Sequence, residues 1–139
     1  MNNAIFLPMM AMILLTVVVW FYMYARRLAY LTRQNIDAQE LATPEKVAAT
    51  IPEEVNNSAN NLKNLFEIPV LFYVLGLIAH GSGLADALFV NCAWIYVALR
   101  AVHSIIQCTA NKVMVRFMAY ALSCLVLWFM VVRLLLNLA

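Results

Sequence analysis

Asn57, Asn60, Asn64 and Glu67 follow one another at intervals of 3, 4 and 3 residues, and Arg100, His103 and Gln107 at intervals of 3 and 4. Each set lies on one face if its segment is helical. Lys63 stands next to Asn64, Ser104 next to His103, and Arg116 a few residues further on. Side chains of these types bind a polar molecule. The cations Lys63, Arg100, Lys112 and Arg116 outnumber Glu67, so the guest is expected to be anionic and to carry a cationic group for the carboxylate. Amides suit carboxylate or amide partners. A zwitterionic, peptide-like molecule with more than one carboxylate fits that pattern. The plainer reading is a buried ion pair with interhelical hydrogen bonds that fix packing. The polar set is larger than packing alone requires.

These residues stand out because of what surrounds them. The chain has 139 residues, 65% of them hydrophobic and 12% charged. A soluble domain is about 45–50% apolar and about 25% charged, so the composition indicates a membrane protein. Four stretches qualify as spans: 4–25, 68–85, 87–111 and 117–138. Spanning takes about 20 apolar residues at about 1.5 Å each. Continuous apolar runs, without two-residue alternation, exclude a strand barrel. The expected fold is an all-α, four-helix transmembrane bundle forming one domain over 1–139.

Arg26, Arg27, Arg33, Lys46 and Lys63 flank the first connection, and Lys112 and Arg116 the third. The excess of positive charge there predicts that both connections are cytoplasmic and both termini are not. The first apolar run has no basic residue before it and is longer than a signal-peptide core, so it is expected to be a retained helix. Cys92, Cys108 and Cys124 all fall inside spans and show no metal-binding spacing. The net charge of +2 points to no partner, and nothing suggests nucleic acid.

Thr43-Pro44-Glu45 is a helix start, with a capping hydroxyl, proline at the first position and an acid in the first turn. It predicts a short helix near 44–50. A second helix is expected to run without interruption from Pro52 to His80, and Gly81-Ser82-Gly83 to close it with a tight turn. Asn56-Asn57-Ser58 matches a glycosylation acceptor but falls on the expected cytoplasmic side. Arg100 lies about 17 Å from the end of its span. An unpaired arginine at mid-span costs about 2.5–3.5 kcal/mol, so Glu67 is expected to face it or to share a cavity with it. Leu62, Leu65 and Phe66 are expected on the opposite surface. His80 reads as interfacial, the aromatic residues as belt or packing groups, Met9, Met10 and Met12 as apolar filler, and Arg133 as reaching the outer surface. Pro8 and Pro69 are candidate kinks.

With those residues in view, "NLFEIP" at 64–69, "LRAVHS" at 99–104 and Arg116 at the start of the last span resemble the MAPEG proteins. These are the membrane-associated proteins of eicosanoid and glutathione metabolism, including microsomal glutathione transferases. The resemblance covers essentially the whole chain. It implies a homotrimer of four-helix subunits that binds glutathione between neighbours, at a site opening to the lipid. The matching ligands would be Asn64, Glu67, Arg100 and His103, with Asn60, Lys63 and Gln107 at neighbouring positions. Arg116 would act catalytically on the glutathione thiolate, since a guanidinium lowers a nearby thiol's pKa.

The activity implied is transfer of glutathione to a lipophilic electrophile, or reduction of a lipid peroxide, by a multi-pass protein of a bacterial inner (plasma) membrane. Three positions depart from the family pattern. Gln107 stands where a tyrosine is common, Asn60 where an arginine is common, and Phe117 where the prostaglandin synthase has a serine. A non-catalytic protein of the same fold, binding another small anion or acting in membrane assembly, remains an alternative. So does a carrier or proton relay.

Overall fold

A computed structural model describes residues 3–139. After a 3₁₀ turn at Asn3–Ile5 come α1 (Phe6–Gln34), a second 3₁₀ turn at Ala38–Leu41, α2 (Pro44–Thr50), α3 (Glu53–Leu65), α4 (Ile68–Gly81), α5 (Ala87–Cys108) and α6 (Val113–Leu138). Among the described residues there is no strand. Four helical rods, with α3 and α4 counted as one, are long and apolar enough to cross a membrane. The expected all-α fold with four spans is therefore the fold observed.

Helix α1 has 29 residues, or about 43 Å of rise, so it is longer than a bilayer core of about 30 Å. It ends where Asn35 adopts a left-handed conformation (φ 52°) and its N–H bonds back to Thr32. Pro8 falls in its first turn, where proline is tolerated, so it is buried without kinking the helix. The cap at Thr43 forms as the sequence requires, with its side chain accepting from Lys46 N at 3.4 Å. Gly83 turns the chain at φ 73° before α5, and the Asp86 carboxylate caps α5 by accepting from Phe89 N at 2.9 Å.

Helix α5 packs most extensively on α6, and α1 on α3. Met12, Phe72, Ala79, Phe89, Ala93, Tyr96, Leu127 and Met130 form the centre of the core. Phe72 and Tyr96 stack with ring centroids 4.7 Å apart. The outward faces are apolar too: Leu7, Leu14, Phe21, Leu125 and Phe129 are all exposed, as a lipid-facing surface requires. His80 packs on Phe6 at 4.5 Å.

Three sequence expectations need correction. The second rod is not continuous. It breaks at Phe66 and Glu67, with Glu67 at φ −94°, ψ −107°. Pro69 has no N–H to bond the Leu65 carbonyl, so the ladder of the second rod is interrupted there and a new helix starts at Ile68. The third span ends at Cys108 rather than Asn111. Asn111 turns left-handed (φ 46°) and its N–H bonds to Ile106 O at 2.7 Å. Arg100 is then eight residues, about 12 Å, from that end. The last helix starts at Val113, which puts Arg116 inside its first turn. Arg133 binds Asp86, Nη1 to Oδ1 at 2.9 Å and Nη2 to Oδ2 at 2.7 Å.

Candidate functional site

The helix break places Asn64 and Glu67 at the junction of α3 and α4, facing the middle of α5. Arg100 is fully buried. Its Nη2 donates to Asn64 Oδ1, and Asn64 Nδ2 donates to Glu67 Oε2 at 3.4 Å. The expected Arg100–Glu67 pair is thus an indirect one, because the short asparagine side chain stands between them while the carboxylate is exposed. Among the described residues the one salt bridge is Arg133–Asp86. Arg100 Nε and Nη1 are buried and have no hydrogen-bond partner among the described residues. The guanidinium also lies 5.5 Å from the centre of the Tyr120 ring, close enough for cation–π attraction.

A second cluster lies one to two turns nearer the α5–α6 connection. His103 Nδ1 is 2.8 Å from the Arg116 carbonyl oxygen. Its Nε2 is 3.1 Å from Gln107 Oε1, which also accepts from Asn61 Nδ2 at 2.9 Å. A carbonyl can only accept, so Nδ1 carries the proton that bonds Arg116. Two protons on the ring would place a second cation close to Arg100. A neutral ring instead needs a donor at Nε2, which Gln107 supplies when its amide nitrogen faces both His103 and the Asn61 oxygen. The two amides have the same shape turned either way.

Arg116 is fixed at both ends. Its carbonyl holds His103, and its Nη1 donates to Asn111 Oδ1. Asn111 Nδ2 in turn donates to Asn57 Oδ1 at 3.2 Å. Tyr120, one turn beyond Arg116, joins the clusters, since its ring lies 5.8 Å from that of His103 and also beneath Arg100.

The structure therefore gathers Asn64, Glu67, Arg100, His103, Gln107 and Arg116 into one region. It leaves Asn60 and Lys63 exposed, with no side-chain hydrogen bond. The stripe that points inward is Asn57, Asn61 and Asn64, with spacings of 4 and 3 in place of 3 and 4. Leu65 is buried with it rather than turned away, and only Phe66 is strongly exposed. Asn61, Asn111 and Tyr120 were not among the residues expected from sequence. The signal for Asn61 was present, because both spacings are helical. The signal for Tyr120 was its position four residues after Arg116.

A chain of four helical rods long and apolar enough to cross a membrane, with arginine, histidine and amides buried between them, is a multi-pass integral membrane protein with a buried polar cluster. The MAPEG family model matches residues 5–136, nearly the whole chain, and the protein belongs to that family. The family includes glutathione transferases and related proteins. No curated protein and no solved structure matches the chain.

Proposed function

We propose that this protein binds glutathione and uses it against lipophilic electrophiles or lipid peroxides. One observation carries the reading. Arg100 is a fully buried guanidinium with two nitrogens unpaired, held by Asn64 beside the Glu67 carboxylate. Leaving a charged donor unpaired at depth is costly, and a bound carboxylate would relieve that cost. Glutathione offers two carboxylates for the guanidinium groups and an ammonium for Glu67. MAPEG proteins are usually trimers, and the exposed Glu67 and Phe66 would then face a neighbouring subunit. The basic connections would be cytoplasmic and both termini outside.

In this reading Asn64, Glu67, Arg100 and His103 orient the peptide, and Gln107 holds His103 in place. Asn60 and Lys63 lie at the mouth, where Lys63 contributes positive charge. Arg116 stabilises the thiolate. The sulfur attacks an electrophilic carbon to form a C–S bond while the thiol proton passes to water; the displaced electron pair leaves with a departing anion or, in conjugate addition, moves along the broken π bond to an atom that takes a proton from water. With a hydroperoxide, two thiols become one disulfide as the peroxide is reduced to an alcohol and water. Calorimetry on the detergent-purified protein should show saturable glutathione binding that Arg100→Leu abolishes. Arg116→Ala should keep binding but lower turnover by roughly 10²-fold. Absence of heat from the folded protein, or equal turnover in the variant, would refute the proposal.

A second reading has its own support. Gln107 fills a position where the family commonly has tyrosine, and it is engaged with Asn61 and His103. Binding without catalysis in the same experiment would favour a non-catalytic protein that holds a small anion.

A further inference from the structure

We infer that the hollow between α1 and α5 holds one membrane phospholipid with a phosphoethanolamine head. A chamber of about 810 Å³ opens where α1, the start of α3 and the α5–α6 connection meet. Its polar lining includes Tyr22, Arg26, Glu53, Glu54, Asn57 and Asn111. That volume lies within the range of about 300–1,000 Å³ for ligand sites. An apolar groove of about 200 Å³ adjoins it, lined by Leu15, Val18 and Val19 of α1 and by Ser104 and Ile105 of α5. The two spaces share Tyr22, Cys108 and Thr109. From Leu15 to Arg26 the hollow follows α1 for about 16 Å. It is polar at the end of the spans and apolar alongside them, which is the polarity of a lipid with its head and chain in place.

The charges select the head. Arg26 would face a phosphate from one side, with the Tyr22 hydroxyl as a second donor in exchange for its long bond to the Cys108 carbonyl at 3.3 Å. Its present contacts are weak, Nη1 to Tyr22 Oη at 3.4 Å and Nη2 to the Glu54 carbonyl at 3.3 Å. Glu53 and Glu54 stand in the same chamber and suit a primary ammonium, which can donate three hydrogen bonds. A phosphoglycerol head offers those carboxylates no cation, and a quaternary ammonium offers them no hydrogen bond. Ser104 supplies an independent pointer. It lines the groove and is buried, and its hydroxyl has no partner among the described residues. An ester carbonyl at the top of an acyl chain is the acceptor it lacks. None of the proposed glutathione ligands lines the chamber or the groove; the chamber borders that site through Asn111, which accepts from Arg116.

The delipidated, detergent-purified protein is incubated with equal amounts of phosphatidylethanolamine, phosphatidylglycerol and phosphatidylcholine, and retained lipid is counted by native mass spectrometry. One phosphatidylethanolamine per chain is expected, favoured about tenfold over the other two. Val18→Trp and Ile105→Trp alter exposed positions and fill the groove, so each should abolish retention while the melting temperature holds. Two such variants guard against one failing to fold. Arg26→Ala should weaken retention and Arg26→Lys should restore part of it. Equal retention of all three lipids would overturn the inference. So would retention that neither tryptophan affects, or displacement of the lipid by glutathione.

Discussion

Arg100 and Glu67 meet only through Asn64, whose oxygen accepts from the guanidinium and whose nitrogen donates to the carboxylate at 3.4 Å. An amide can bridge a cation and an anion because it carries an acceptor and a donor on one planar group. The bridge leaves the carboxylate exposed at the surface and the guanidinium fully buried with two unpaired nitrogens.

Asn64→Ala removes the one side-chain acceptor that Arg100 has among the described residues. A hydrogen bond to a charged group contributes about 1.5–3 kcal/mol, so unfolding in mixed detergent should show a loss of that order. Asn64→Asp should fall between the alanine variant and the parent, because it regains an acceptor for Arg100 but loses the donor to Glu67 and sets two carboxylates side by side. Equal stability of all three proteins would show that the contact contributes nothing.

Pro69→Ala should close the break in the second rod. The new amide at 69 can bond the Leu65 carbonyl, so hydrogen exchange should show protection at 66–69. Glu67 should then rotate away from Asn64, and any glutathione affinity should fall with it. A break that persists without the proline would mean that packing, not the missing N–H, causes it.

Asp86 is held below the usual carboxylate range, first by its hydrogen bonds to Arg133 and then by the Phe89 N–H. Its folded pKa is below the unfolded one, so between the two values the unfolded chain binds more protons. The stabilisation is complete above the ordinary value of about 3.9. It is lost as pH falls through the lower folded value. Asp86→Asn keeps a good helix cap but should flatten the acid limb of a stability–pH curve. An unchanged acid limb would place the sensitivity elsewhere.

A methyl group added at Gly76 would come within 2.7 Å of Met9 Sδ, where α4 crosses α1. The sulfur lies on a flexible chain, so Gly76→Ala should change stability by less than about 1 kcal/mol, helped by alanine's better helix propensity. Gly76→Val should cost about 1–3 kcal/mol, and Met9→Ala should relieve most of that in a double-mutant cycle. Additive losses would show that the two residues do not press on each other.

Much of this protein could be read directly from its residues. Apolar runs long enough to span a bilayer, the Thr43-Pro44 start and the Gly83 turn are local properties, set by side-chain type and backbone sterics within a few positions. The polar residues of the site were also visible, because an arginine, a histidine and several amides are conspicuous among lipid-soluble neighbours. Which of them turn inward was not. A stripe through Asn60 and one through Asn61 both satisfy helical spacing, and only the packing of α3 against α5 chose Asn61 as the partner of Gln107. The helix break had a local cause in Pro69, but its consequence was tertiary. It set Asn64 between Arg100 and Glu67, where charge counting alone expected the two to face each other or a shared cavity. Local chemistry therefore determined the elements and the candidate ligands. Hydrogen-bond geometry between distant helices, which no spacing rule encodes, decided how those ligands meet.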